Sequence, residues 1–257
     1  ARVEPQKRAL LWCDDHGQER IFTFTDVSRL SNQAANAFRN MGIGKGDVVM
    51  MILRRRWEYW ICAVALCKLG ATIIPATLQL TKKDIAYRAN AAQVKMMICV
   101  NDDYVCAQTE LALPESPSIE QRVVVAGARE GWTFFDALIE GESDVLERPA
   151  GDAGVTSADI MLIYFTSGTT GMAKAVCHNF AHPLGHIITA KYWQQVRENC
   201  LHMSVTDSGW AKFGWGKIYG QWIAGATVFA YDMDKFVPAH LLQKIQDYRL
   251  TTFCAPP

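Results

Sequence analysis

Residues 166–174 carry the side chains best suited to binding a charged ligand. Two glycines in this stretch allow backbone angles closed to other residues, and its hydroxyls and ammonium group can donate hydrogen bonds to phosphate oxygens. The apolar run Ile160–Phe165 precedes the stretch and predicts a buried strand. We therefore expect a polyphosphate-binding loop at the end of a strand, formed by Thr166, Ser167, Gly168, Thr169, Thr170, Gly171, Met172, Ala173 and Lys174.

The spacing of the glycines distinguishes this loop from a P-loop. A P-loop has four residues between its first glycine and its Gly-Lys pair. Here two residues separate Gly168 from Gly171, and two more separate Gly171 from Lys174. A Ras-like or kinase-like nucleotide site is therefore disfavoured. On composition alone, a flexible polar hairpin between two strands explains the stretch as well as a phosphate site does.

The composition is that of an ordinary globular protein. The chain has 257 residues, 26 Lys and Arg against 26 Asp and Glu, 50% hydrophobic residues and 20% charged residues. These values exclude disordered, collagen-like and highly charged classes, and the length fits one domain or an intimate pair. The basic run Arg54–Arg56 is isolated and soon followed by aromatic residues. We expect it to be a solvated helix entrance, and we expect no nucleic-acid partner.

The cysteines and the apolar runs indicate where such a protein resides. None of the eight cysteines forms a C-x-x-C pair, and most lie in apolar runs such as Met96–Val100. Buried reduced thiols predict a reducing, cytoplasmic environment. No apolar run reaches the roughly 18 residues of a spanning helix. The first residues do not form a signal peptide, so we expect a soluble protein.

Short apolar runs alternate with amphipathic stretches, which predicts an α/β fold. The polar segment 140–157, broken by glycine and proline, is the best place for a sub-domain boundary. The predicted helices are Trp57–Leu69, Thr133–Ile139 and one that begins at Thr81 with Asp84 completing a capping box. The predicted strands are Gly46–Leu53, Ala71–Pro75, Val94–Val100, Gln121–Ala126, Ile160–Phe165 and Thr251–Cys254.

The stretch Tyr-Phe-Thr-Ser-Gly-Thr-Thr-Gly-Met-Ala-Lys, residues 164–174, resembles the signature loop of the AMP-forming acyl-adenylate superfamily. That superfamily includes acyl-CoA synthetases, peptide-synthetase adenylation domains and luciferases. Its pattern usually has proline where this chain has Ala173, which alters loop stiffness more than the donors. Residues 75–88, 207–212 and 252–257 are similar to medium-chain, or butyrate-type, acyl-CoA synthetases. The resemblance spans nearly the whole chain.

The resemblance implies an α/β fold of stacked, largely parallel sheets flanked by helices, with substrate bound where strands end in loops. It implies that residues 1–257 are an incomplete N-terminal part of an AMP-binding, or adenylation, domain. The chain begins at Ala and stops directly after the apolar run Thr251–Cys254, so we expect a fragment cut at both ends. The later core and the C-terminal lid domain would be absent. The family's Mg²⁺-linked Glu, ribose-binding Asp and adenylation Lys would lie beyond Pro257. We therefore expect no catalytic residue and no metal ligand in this chain, and no turnover by the chain alone.

The resemblance also implies an activity, that of an acid–CoA ligase of fatty acid metabolism. A short- or medium-chain carboxylic acid would attack ATP to give acyl-AMP and pyrophosphate, and the thiol of coenzyme A would then form acyl-CoA. Mg²⁺ would offset the polyphosphate charge. Trp210 would lie beside the acyl group, and Gln79 and Arg88 would lie near coenzyme A. Two alternatives remain: an adenylating enzyme that loads an acyl carrier protein, and a non-catalytic nucleotide-binding module.

Each of these side chains also has a simpler explanation. Trp210 lies in a tryptophan-rich run and could serve core packing alone, as large aromatics usually do. Gln79 and Arg88 could belong to a helix cap region with a solvated arginine. Paired acids such as Asp14–Asp15 and Asp102–Asp103 follow strand-like runs, so we expect exposed turns there and no acid–base catalysis.

Three histidines recur every four residues and would share one face of a helix, which raises the possibility of a metal site. We expect none. A proline disturbs the start of that helix, and no acidic partner gives an H-E-x-x-H arrangement. The residues concerned are His178, His182, His186 and Pro183.

Overall fold

A computed structural model describes residues 4–166 and 173–255. The strands are β1 (Arg8–Asp14), β2 (Glu19–Thr23), β3 (Val48–Ile52), β4 (Thr72–Pro75), β5 (Val94–Val100), β6 (Gln121–Val125), β7 (Thr133–Phe134), β8 (Ile160–Thr166), β9 (Lys174–Asn179), β10 (Leu201–Ser204), β11 (Thr227–Asp232) and β12 (Thr252–Cys254). The helices are α1 (Phe24–Asn40), α2 (Glu58–Leu69), α3 (Lys82–Ala92), α4 (Asp103–Ala112), α5 (Phe135–Ile139), α6 (His182–Ile188), α7 (Ala211–Lys217), α8 (Tyr219–Ile223) and α9 (Pro238–Asp247).

The strands form two sheets. The first has the order β12-β10-β11-β1-β2, and the second has the order β7-β6-β5-β3-β4-β8-β9. In each sheet one edge strand is antiparallel to its neighbour, β2 beside β1 and β9 beside β8, and the other strand pairs are parallel. The predicted fold class, largely parallel sheets with helices between and around them, is confirmed.

Helices cover both faces of each sheet, as parallel strands require. On the outer face of the first sheet, Leu241 of α9 packs in one cluster with Phe229 of β11. On the outer face of the second, Ile85 of α3 packs in one cluster with Met50 of β3. The helices α1 and α2 lie between the sheets. The order of layers is therefore helix, sheet, helix, sheet, helix.

Helix α2 forms the centre of the molecule. Its sequence EYWICAVALCKL is apolar on nearly all sides, which is typical of a helix surrounded by protein. Trp60 in α2 is fully buried, in one cluster with Trp12 of β1 and Val49 of β3. Burying such side chains contributes about 1.5–3 kcal/mol each. The core that joins the two sheets is therefore built around this helix.

Most predicted elements lie where the sequence placed them. Strand β5 matches its prediction at both ends, and α2 begins one residue later than predicted. The predicted strand at 46–53 is shorter at both ends, Val48–Ile52. The predicted capping box is present, since Thr81 N donates to Asp84 Oδ2 at 3.1 Å and Asp84 N donates to Thr81 Oγ1 at 3.4 Å.

The predicted helix Thr133–Ile139 is wrong at its start. Thr133 and Phe134 form β7, which pairs in parallel with β6 through Val123 and Val124. Helix α5 begins only at Phe135. Thr133 and Phe134 pair with residues about ten positions earlier in the sequence, and this pairing overrides the local helical pattern. Tertiary contacts commonly override local preferences in this way.

Two predictions about paired acids need correction. Asp14 is only 5% exposed, at the end of β1, where its Oδ1 accepts hydrogen bonds from His16 N and Gln18 N. Asp102 is the N-cap of α4 and accepts from Val105 N at 3.1 Å. Both carboxylates therefore serve backbone donors, one of them in a buried position.

All eight cysteines are free thiols, and five are buried. Burial raises the pKa of the Cys67 thiol to about 12 and that of Cys13 to about 11. Thiols with such pKa values are inert at neutral pH. Among the described residues, no helix is both long and apolar enough to cross a membrane.

The segment 140–157 runs beside α1. Asn32 Nδ2 donates to the carbonyl of Asp144 at 2.7 Å, and Asn36 Nδ2 donates to that of Ser143 at 2.8 Å. The polar face of α1 thus supplies donors to a stretch that has no strand partner of its own. The sub-domain boundary near 140–157 stays a prediction.

The capping box at the start of α3 provides a test of local stability. We predict that Thr81→Ala lowers the free energy of unfolding by about 0.5–2 kcal/mol, because it removes the acceptor for Asp84 N. Thr81→Ser keeps the hydroxyl and should retain most of that free energy. Urea unfolding of the 257-residue chain measures both variants. Equal losses in the two would contradict a capping role.

Candidate functional site

The predicted phosphate-binding loop joins β8 to β9. These strands form an antiparallel hairpin in which Thr166 pairs with Lys174, so both ends of the loop meet at the carboxyl end of β8. The Thr166 hydroxyl lies 3.5 Å from the Lys174 carbonyl oxygen, and Lys174 is exposed. The remaining predicted loop residues lie outside the described part of the chain: Ser167, Gly168, Thr169, Thr170, Gly171 and Met172.

Helix α3 packs against both ends of this loop. Tyr87 Oη donates to the Ala173 carbonyl at 2.9 Å. The Arg88 guanidinium lies 5.4 Å from the centre of the Phe165 ring, and its Nη1 donates to the Asp84 carbonyl at 3.0 Å. A cation over an aromatic ring contributes about 0.5–2 kcal/mol. Phe165 and Ala173, on either side of residues 167–172, are therefore anchored to α3.

The two residues predicted near coenzyme A lie on different elements and differ in exposure. Gln79 is exposed in the turn between β4 and α3. The Arg88 side chain is only 14% exposed and is bound within its own helix and to Phe165. The simpler explanation of a solvated arginine is therefore wrong. A contact of either residue with coenzyme A stays a prediction.

Trp210 lies in the turn that connects β10 to α7. Its side chain is 64% exposed, so the alternative of core packing is wrong for this residue. Asp207 shapes the turn, because its Oδ1 accepts from Gly209 N at 3.2 Å. The other carboxylate oxygen lies 3.4 Å from Arg55 Nη1. An ion pair from a different sheet thus holds the turn that presents the indole.

Gly209 allows the turn to touch the end of β4. A Cβ atom at this position would lie 2.3 Å from the backbone nitrogen of Thr77 and 2.5 Å from the carbonyl carbon of Ala76. Only glycine fits such a backbone approach. The Trp210 turn and the start of the Gln79 turn are therefore neighbours, at the carboxyl ends of β10 and β4.

Helix α7 also meets β8 closely. A Cβ atom at Gly214 would lie 2.8 Å from Tyr164 Oη. The carboxyl ends of β4, β8 and β10 therefore bring together three features that the sequence singled out separately: the ends of the phosphate-binding loop, the Gln79 turn and the Trp210 turn. Proteins of the α/β class bind ligands where the carboxyl ends of their strands converge.

The three histidines cluster, though not on one helical face. His178 belongs to β9, and α6 begins only at His182. The ring centres of His178 and His182 are 4.1 Å apart, and those of His182 and His186 are 4.6 Å apart. Burial, followed by the neighbouring imidazoles, lowers the pKa of His182 to about 4. In the part of the chain that the structure describes, no group of three His, Cys, Asp or Glu could hold a metal ion.

The basic run Arg54–Arg56 is not a solvated helix entrance. Arg54 lies 3.5 Å from a carboxylate oxygen of Asp232, and Arg56 lies 3.0 Å from one of Glu58 and over the Trp12 ring. The three arginine side chains are 15–20% exposed. The neighbouring Glu58 was a local signal for this pairing, but the other acids lie more than 150 residues away in the sequence.

Lys217, at the end of α7, was not singled out by the sequence. It is fully buried, and its Nζ has no hydrogen-bond partner among the described residues. Burial, followed by the charge of the nearby Arg55, lowers its pKa to about 7. Nζ lies 5.1 Å from the centre of the Phe213 ring. This lysine thus lies close to the arginine that holds the Trp210 turn.

Parallel strands that end in a glycine- and hydroxyl-rich loop define a class of α/β proteins that bind nucleotide phosphates at strand ends. Within that class, residues 1–257 match the sequence profile described as "AMP-binding enzyme". The chain belongs to this AMP-binding enzyme family.

Curated relatives agree with this assignment. The chain is 30% identical to a protein named acyl-coenzyme A synthetase ACSM3, mitochondrial, of Pongo abelii, over 100% of this chain and 43% of the relative. It is 32% identical to acyl-coenzyme A synthetase ACSM4, mitochondrial, of Rattus norvegicus, over 98% of this chain and 43% of the relative. The chain thus spans less than half the length of these relatives. The expected cytoplasmic location stays a prediction.

Solved structures share the fold. An anthranilate CoA ligase, AuaEII, in complex with anthranoyl-AMP superimposes with a TM-score of 0.85 at 22% identity, over 97% of this chain and 46% of that chain. An acyl-CoA synthetase of Brucella canis superimposes with a TM-score of 0.86 at 19% identity, over 99% of this chain and 45% of that chain. At these identities the comparison establishes the fold alone.

The backbone approach at Gly209 generates a prediction. Gly209→Ala should lower the free energy of unfolding by about 1–3 kcal/mol, because the added methyl group collides with the backbone of Thr77. Gly185→Ala is the control, since nothing lies within 4 Å of a Cβ atom there. Urea unfolding of the 257-residue chain measures both. Unchanged stability of Gly209→Ala would contradict the contact between the two turns.

Proposed function

We propose that this chain forms the phosphate- and acid-binding part of an AMP-forming acid–CoA ligase. The observation that supports the proposal best is the convergence of the ends of β4, β8 and β10 in a chain that matches the AMP-binding enzyme family along its whole length. The names of the curated relatives point to coenzyme A, and not to an acyl carrier protein, as the acceptor.

The reaction has two steps. The carboxylate of a short- or medium-chain acid attacks the α-phosphate of ATP, which forms acyl-AMP and releases pyrophosphate. The thiol of coenzyme A then attacks the acyl carbonyl, which forms acyl-CoA and releases AMP. Both steps build negative charge on phosphate or carbonyl oxygens, so the protein acts mainly by alignment and electrostatic stabilisation.

The loop at 166–174 serves the first step. Its hydroxyls and backbone N–H groups donate to the β- and γ-phosphates, and the exposed ammonium of Lys174, at the start of β9, offsets their charge. Trp210, exposed on its turn, forms a wall of the acyl site. Gln79 and Arg88 line the approach of coenzyme A from the side of α3.

The described donors fit phosphate better than they fit Mg²⁺. Hydroxyls and an ammonium group bind phosphate oxygens, whereas Mg²⁺ prefers carboxylates, and no cluster of acids suited to a metal ion lies among residues 4–166 and 173–255. Mg²⁺ would be held chiefly by the phosphates and would neutralise part of their charge. The chain's own contribution is the loop that orients those phosphates.

Lys174→Ala tests the phosphate role. The test uses a form of the protein extended to the length of its curated relatives. We predict that Lys174→Ala slows acyl-adenylate formation there, because the transition state loses about 2–4 kcal/mol of stabilisation. Thioester formation from preformed acyl-AMP should be spared, because pyrophosphate leaves only in the first step. ATP–pyrophosphate exchange measures the first step. Consumption of the free coenzyme A thiol, with preformed acyl-AMP as substrate, measures the second. Lys191→Ala, at a lysine outside the loop, is the control. If Lys174→Ala lowered the rates of both steps equally, its role in binding the phosphates would be contradicted.

Trp210→Ala tests the acyl role. Removal of the indole enlarges the site, so preference should shift towards longer or bulkier acids. One methylene in a pocket is worth about 1–3 kcal/mol, and the shift should appear in kcat/KM ratios across a series of acids. Tyr192→Ala removes another exposed aromatic side chain and should leave the ratios unchanged. Unchanged ratios with uniformly lower activity in Trp210→Ala would exclude a wall of the acyl site.

A further inference from the structure

A cavity of about 690 Å³ opens beside the start of β8, and Tyr219 lies between it and α7. Met161 and Leu162 at the start of β8 line it, whereas the phosphate-binding loop follows Thr166 at the other end of that strand. Small-molecule sites commonly occupy about 300–1,000 Å³. The cavity is therefore large enough for a ligand of its own.

The wall of this cavity is mainly apolar. Ala63 and Val64 of α2 form one side, and Phe180 and Trp222 contribute aromatic surface. Contact with such a wall favours a ligand with a hydrocarbon part, since apolar surface removed from water contributes about 25 cal/mol per Å². An inorganic anion alone would gain nothing from these side chains.

Two cations line the same cavity, Lys68 and Arg148. Lys68 Nζ donates to the carbonyl oxygen of Ser28, the hydroxyl of Ser31 and the amide oxygen of Asn32, at 2.6–3.1 Å. These acceptors are neutral, so they satisfy the N–H groups and leave the positive charge uncompensated.

Burial, and then the charge of Arg148, lower the pKa of Lys68 to about 8, and no carboxylate counteracts them. The two cations repel each other, and the side chains that the structure describes along this cavity, which do not include that of Asp152, supply no acid to pair with either. Arg148 is exposed, whereas Lys68 is partly buried, and an unpaired charge in partly buried surroundings is costly. An anionic group between Lys68 and Arg148 would relieve that cost.

We propose that this cavity binds a medium-chain carboxylate, with the head group between Lys68 and Arg148 and the alkyl chain along α2 and the start of β8. The head group would then lie at the end of β8 opposite the phosphate-binding loop, so this site would bind the acid without activating it. Thr156 and Ser157, which also line the cavity, offer polar contacts beside the head group.

The test measures binding to the 257-residue chain without ATP or coenzyme A. Octanoate is titrated by calorimetry and compared with 1-octanol, which has the tail without the charge, and with acetate, which has the charge with almost no tail. Octanoate should bind at least about tenfold more tightly than either, because a charged head group and an apolar tail both contribute.

Variants locate the site. Arg148→Met should weaken octanoate binding about tenfold and leave octanol binding unchanged, whereas Arg197→Met, at an exposed arginine outside the cavity, should change neither. Val64→Trp fills the cavity and should abolish binding of octanoate. Trp210→Ala alters the proposed acyl site and should leave this binding intact, so the two sites are tested separately.

Several results would overturn the proposal. Absence of octanoate binding would exclude the site outright. Equal affinity for octanoate and octanol, or an unchanged affinity in Arg148→Met, would exclude the role of the cations. Loss of binding in Trp210→Ala with retention in Val64→Trp would assign the octanoate to the proposed acyl site. None of these results would depend on turnover by the enzyme.

Discussion

The Arg54–Arg56 segment connects the two sheets at their carboxyl ends. It follows β3 of the second sheet, yet most of its partners lie on the first: Asp207 after β10, Asp232 at the end of β11, and the Met233 carbonyl, which accepts from Arg55 Nη2 at 2.6 Å. Arg54 has a left-handed φ of 52°, which costs a residue with a side chain about 1–2 kcal/mol. The ion pairs and the hydrogen bond to the carbonyl offset that cost. The Arg54–Arg56 segment therefore holds the carboxyl ends of β10 and β11 in place relative to the second sheet.

The proposed chemistry needs that connection because its parts come from different sheets. The loop at 166–174 follows β8 of the second sheet, and the Trp210 turn follows β10 of the first. Arg55 reaches from one sheet to Asp207 on the other, and Gly209 lets the turn touch the backbone at the end of β4. An acid beside Trp210 and a triphosphate on the loop could then be aligned, and alignment can lower a barrier by about 7–11 kcal/mol.

Structural features that depend on residues close together in the sequence were predicted correctly. Strand β5 is a continuous apolar run and was predicted at both ends, and the capping box of Thr81 and Asp84 spans only three residues. Features that depend on distant partners were missed. Arg54–Arg56 appeared solvated because Asp207 and Asp232 lie far along the chain, and β7 appeared helical because β6 determines its pairing. Trp210 was predicted as a site residue by resemblance, but its exposure depends on how the turn packs.

A double-mutant cycle on Arg55 and Asp207 tests the connection most directly. Arg55→Met and Asp207→Asn are compared singly and together in a family-length form of the protein, by the kcat/KM for the acid in ATP–pyrophosphate exchange. Each single variant should lower kcat/KM for the acid, and the double variant should lose little more, with a coupling free energy of about 0.5–3 kcal/mol. Additive losses, or single variants with unchanged kcat/KM, would contradict the claim that this ion pair positions the acyl-binding turn.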